Sequence, residues 1–264
     1  MTLAKLSFKR IVAFTLVSLS AQSALAGDPP FTSTADTVFD IIQKDDPTQF
    51  VCLNYEGRAD REMWDKRIDG ERVHSVFLFS AHYRDGPAID FIFNPEFRTE
   101  EAARAEAYRY AYGLGQLPMV FRQGIKQFGI HKGKEGFHGG PGKIFMYQEQ
   151  ADLRVSQNKL EESILHESVH ASLDALWRDS AEWRAAQIAD QAFVTRYAAR
   201  FPAREDLAES ALFAYGLLRY PGRIPPVDSA DIIAAMPARL EVLSKILSQK
   251  VEVAPPPPIP VGCR

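Results

Sequence analysis

The chain has 264 residues, 46% of them hydrophobic and 25% charged, with 31 Lys and Arg against 34 Asp and Glu. This is globular composition and excludes a collagen-like, low-complexity or charge-driven disordered polymer. A formal charge of -3 gives no electrostatic case for nucleic acid as a partner.

Residues 1–26 read as a signal peptide. Lys5, Lys9 and Arg10 precede an apolar stretch at 11–19 that is too short to span a bilayer, and Ala24-Leu25-Ala26 forms an A-x-A cleavage site. That predicts an exported chain, periplasmic or secreted, starting at Gly27 and without a membrane span in its mature part. Residues 27–250 read as one domain, β-rich over about 50–150 and helical over about 158–250. The layout is α+β with two lobes. Strands are expected at 50–53, 73–83 and 87–93, the last two joined by a hairpin at Asp85-Gly86. A helix follows at 99–112, capped by Thr99 and stopped by Gly113-Leu114-Gly115. Further strands are expected at 125–131 and 143–147, either side of a loop at 133–142 that holds five of the 16 glycines. Helical spacing takes over from about Asn158, and Pro237 divides its last stretch into 231–235 and 238–248.

The only cysteines are Cys52 and Cys263. In an oxidising compartment they predict one disulfide, strapping the Pro-rich tail at 251–264 to the strand around Cys52. The other reading is a loose tail and two free thiols.

The chemistry concentrates in one segment, LEESILHESVHASLDALW, at 160–177. His166-Glu167-Ser168-Val169-His170 is an H-E-x-x-H pattern. Residues four apart share a helix face, so both imidazoles can reach one metal ion while Glu167 points about 100° round. Leu165, Val169, Leu173 and Leu176 form a separate apolar stripe to seat the helix. Catalytic zinc needs three protein ligands and an open position. Downstream, Glu205 and Glu209 lie four apart on a helix whose first residue is expected at Pro202. One acid can serve as a ligand and the other can bond the outer nitrogen of a ligating histidine. Asp174, four residues past His170, is read as a structural acid or helix-pair partner rather than the third ligand. His138 in the glycine loop is read as solvent-exposed.

Together, HESVH and the EDLAES segment 35 residues later resemble the zincin metallopeptidases, in particular the gluzincin branch. The resemblance implies one zinc ion held by His166, His170 and Glu205. It also implies Glu167 as general base and Glu209 as the acid backing a histidine. The stretch RYAARFPAREDLAE at 196–209 is also similar to the third-ligand segment of lethal-factor-type zincins, where a tyrosine assists the transition state. That implies the same role for Tyr197. The match departs at Phe201, where an Asn cap is usual, and has one extra residue between Pro202 and Glu205. The resemblance further implies an edge strand that pairs with substrate, here Ile144, Phe145, Met146 and Tyr147. Gly139, Gly140 and Gly142 would allow a lid or a close approach, or form an ordinary hairpin turn. Two functions follow: an exported zinc metallopeptidase acting on a peptide or protein substrate, or a zinc-binding envelope or secreted protein with a lapsed site.

Overall fold

The computed structural model describes residues 28–263. The signal-peptide reading falls outside the described residues. The fold is α+β, built on a six-stranded mixed sheet. Its strands are β1 (Phe50–Asp65), β2 (Gly70–Tyr83), β3 (Gly86–Phe93), β4 (Gln127–His131), β5 (His138–Gly140) and β6 (Lys143–Tyr147), in the order β1-β2-β3-β4-β6-β5. β2 runs antiparallel to both β1 and β3, β3, β4 and β6 run parallel, and β5 pairs antiparallel with β6. The helices are α1 (Glu100–Gln116), α2 (Met119–Arg122), α3 (Gln148–Ser156), α4 (Leu160–Ser172), α5 (Ala181–Asp190), α6 (Arg196–Arg200), α7 (Asp206–Arg219), α8 (Pro226–Ala235) and α9 (Pro237–Ser248). No helix among the described residues is long and apolar enough to cross a membrane.

β1 is four times the length expected. Its outer half, with Arg58, Asp60, Arg61 and Glu62, is largely solvent-facing, so its polarity hides the strand, yet it pairs with β2 all the way to Asp65 opposite Gly70. The long hairpin turns at 66–69, where Asp69 takes a left-handed φ of +47° that Asp tolerates better than most residues. The Thr99 cap is present, its hydroxyl accepting from the Ala102 N–H. The stop at Gly113 is not: α1 runs on to Gln116. Gly115 serves close packing instead, since a Cβ there would stand 2.7 Å from the Phe50 nitrogen.

β6 is not an edge strand. It pairs on one side with β4 and on the other with β5, and Ile144, Phe145, Met146 and Tyr147 are all buried. These four residues therefore build core, and the assignment of them to substrate is corrected: β5 is the edge. The stripe also needs one correction. Leu165, Val169 and Leu173 are buried, but beyond α4 the chain enters a π-helical turn, Asp174–Arg178, whose wider winding leaves Leu176 65% exposed.

The core fills the space between the sheet and α1, α4 and α7, with Phe79, Phe91, Phe128, Leu165, Val169 and Leu212 in one cluster. Cys52 and Cys263 form the expected disulfide, their Cα atoms 5.6 Å apart, and the tail runs back to β1. Pro237 opens α9, as its missing N–H permits at a helix start.

One buried ion cluster ties the helical part to the site. Arg239, on α9, binds both Asp190 at the end of α5 and Asp206 at the start of α7, and all three side chains are fully buried. Removing the cation would strand two buried carboxylates. Arg239→Ala should cost about 3–5 kcal/mol, read as a loss of unfolding free energy in urea. A loss below 1 kcal/mol would show that water reaches the cluster.

Candidate metal centre

The HESVH segment lies within α4. Ile164, Leu165 and Val169 are buried in the core, and the two histidines turn to a neighbouring face. α7 packs across α4. Its start differs from expectation. Pro202 is not the first helical residue, because the Arg204 and Glu205 N–H groups both bond the Phe201 carbonyl and close a turn. The extra residue after Pro202 is absorbed in that turn, and helix begins at Asp206, leaving Glu205 at the cap.

That cap places a carboxylate against both imidazoles. Glu205 Oε2 lies 3.3 Å from His166 Nε2 and 3.3 Å from His170 Nε2, which are themselves 3.3 Å apart. The triangle can be tested against a metal. Ligands about 2.0–2.1 Å from a tetrahedral zinc ion stand about 3.3–3.4 Å from one another. The donor set is N, N and O, which suits zinc. Glu205 Oε1 accepts from Arg204 Nε at 2.7 Å, so Oε2 is the oxygen left facing the histidines.

Each outer ring nitrogen also meets a carboxylate. His166 Nδ1 is 3.3 Å from Glu209 Oε1, and His170 Nδ1 is 3.0 Å from Asp174 Oδ2. Glu209 is held in turn by the Thr34 N–H and hydroxyl, and Asp174 by Arg178. Such partners fix the tautomer in which Nε2 presents its lone pair to a metal. Asp174 is thus a site residue whose role the sequence left at a structural acid; its i+4 spacing from His170 was the available signal.

The electrostatics match this arrangement. Burial disfavours charge on His166, yet Glu205 and Glu209 outweigh it and hold the imidazole well above the ordinary histidine range. Burial likewise opposes His170, but Asp174 and Glu205 raise it to about 9. Despite burial, the two histidines hold the Glu205 carboxyl far below its usual range. This is a pocket that demands positive charge, whether protons or a cation supply it. Burial pushes the Glu167 carboxyl up, against the pull of His166 and His170.

Tyr197, on α6, lines the cleft beside these groups. Burial, and next the Glu205 carboxylate, push its phenol up to about 12. His138 is not solvent-exposed: Trp64 stacks on it with ring centroids 4.1 Å apart, covering it from the tip of the first hairpin. Gly139 provides the close approach. A Cβ there would stand 2.4 Å from the Glu167 carbonyl oxygen, so β5 can lie on α4 only with glycine at this position. Gly142, with φ of +74°, makes the turn into β6. The first hairpin, with Trp64 and Lys66 at its tip, is a wall of the cleft that the sequence did not announce.

Comparison with protein-family profiles, curated proteins and solved structures finds no match to this chain.

Proposed function

We propose that the protein is an exported, zinc-dependent metallopeptidase of zincin-like, two-lobed architecture, with His166, His170 and Glu205 as its metal ligands. One observation carries the reading: three donor atoms, two from α4 and one from the cap of α7, form a triangle with 3.3 Å sides, and the Glu of the same H-E-x-x-H segment stands beside it. Glu209 and Asp174 orient the two imidazoles. Export is supported by the disulfide, since such bonds persist in oxidising compartments.

A zinc ion held there would supply Lewis acidity and bring the pKa of a water towards 7. Glu167 takes the proton of the attacking water and returns it to the leaving amine. The buried carboxyl, raised in pKa, is suited to both halves of that transfer. Tyr197, still protonated at neutral pH, donates to the developing oxyanion. The free side of β5 offers backbone groups to an extended peptide by strand addition.

The test is metal analysis of the purified protein and digestion of a mixed peptide library with and without a chelator. One zinc per chain and cleavage that stops on chelation and returns with zinc are expected. Tight zinc binding without cleavage would make the protein a binding module with a lapsed site.

A further inference from the structure

Two cavities flank Glu167. The larger, of about 620 Å³, runs along Trp64, His138 and His170. The smaller, of about 280 Å³, opens on the His166 side. It falls just below the range of ordinary ligand pockets, about 300–1,000 Å³, and suits one side chain or one chain terminus.

The charges on its wall are unevenly satisfied. Among the acids, Glu209 is held by Thr34 and His166. Glu162 accepts through Oε1 from the Ile41 and Ile42 N–H groups, and that oxygen lies 3.6 Å from Lys159 Nζ, while its buried Oε2 has no hydrogen-bond partner among the described residues. Glu167 faces the metal-ligand cluster. The two cations, Lys66 and Arg154, lack such partners. Arg154 bonds only through Nη1, to the Ala35 carbonyl and the Gln157 side chain, leaving Nε and Nη2 free among the described residues. Lys66 has no carboxylate within ion-pair distance among the described residues, and its Nζ reaches over Gly136, 3.1 Å from where a Cβ would stand.

Lys66 is also held in place. Its N–H donates to the Tyr147 hydroxyl, which donates to Asp65, and Arg67 grips the same carboxylate. The hairpin tip is anchored while the ammonium stays available, the arrangement that lowers the ordering cost of binding.

We infer that this cavity is a carboxylate-binding subsite, with Lys66 and Arg154 as its specificity-determining residues. It favours substrates that bring an acidic side chain or a free C-terminal carboxylate beside the scissile bond. Its place in catalysis rests on the metallopeptidase reading, but recognition of the carboxylate needs no turnover.

The test uses the full chain carrying Glu167→Gln, loaded with zinc, and titrates three probes by calorimetry. They are an acetylated, amidated pentapeptide of alanine with central Glu, its central-Gln counterpart, and acetylated pentaalanine with a free carboxylate. At least one carboxylate probe should bind about tenfold or more tighter than the Gln probe, and which one does so separates side chain from terminus. The double substitution Lys66→Met/Arg154→Met should bring that ratio to about one. Equal binding by all three probes, no binding by either carboxylate probe, or a ratio that survives the double substitution would each overturn the subsite. Metal content of the same sample keeps the two readings apart. A protein that takes up no zinc yet prefers the carboxylate refutes the peptidase and keeps the subsite; a zinc-loaded protein without preference does the reverse.

Discussion

Glu205→Ala should strip the metal from the protein, whereas Glu209→Ala should keep it with affinity lowered about 10–100-fold. The two acids sit one turn apart, but their geometry separates them. Glu205 presents Oε2 to both Nε2 atoms at 3.3 Å, so its loss removes one of three donors and the only negative one. Glu209 touches neither Nε2. It lies behind His166, against Nδ1, and its loss frees that ring to rotate and lowers its basicity. It would also leave the buried Thr34 N–H without its acceptor, a further cost of about 1–3 kcal/mol in stability. Asp174→Ala should resemble Glu209→Ala, because Asp174 plays the same part behind His170. Elemental analysis after dialysis against a graded series of chelators orders the three variants. If Glu209→Ala lost the metal and Glu205→Ala retained it, the ligand and its support would be exchanged.

What the sequence made legible follows from how local each signal is. HESVH needs only the helix period to bring two imidazoles together, and α4 realises it directly. The Glu205–Glu209 pair was readable for the same reason, although the helix start was not. A turn closed by two N–H groups on the Phe201 carbonyl has no strong sequence mark, and it sets the first helical residue at Asp206, four residues later than Pro202 suggests. Strand position was the least legible feature. Lys143–Tyr147 looks like any short apolar strand, and whether such a strand is an edge depends on where β5 folds back. Length misled in β1, where a charged outer half obscured the pairing that carries Trp64 and Lys66 to the cleft. Asp174 was visible as an i+4 neighbour of His170, yet only the π-helical turn after α4 shows which ring nitrogen it meets. Gly115 and Gly139 illustrate the same limit: glycine reads as a breaker, while here it marks backbones in contact.

Glu167→Gln should abolish hydrolysis while leaving the metal in place. The side chain is not among the three clustered ligands, so zinc per chain should stay at the level of the unsubstituted protein. The substitution keeps the shape of the side chain, which matters here. The Glu167 carboxylate lies beneath β5, with Oε2 3.0 Å from the position a Gly139 Cβ would take, and a bulkier group would push the strand from the helix. What the amide cannot do is accept a proton from water and hand it to the amine. General acid–base steps of this kind contribute about 10²–10⁴-fold, so kcat should fall by at least about 100-fold. KM should change little, because the group is needed in the transition state rather than for binding. The pairing of results is what discriminates. Activity lost together with zinc would mean that Glu167 helps to hold the ion. Zinc retained with near-normal kcat would remove Glu167 from the chemistry, and Tyr197 would be the next proton-bearing group in the cleft to replace.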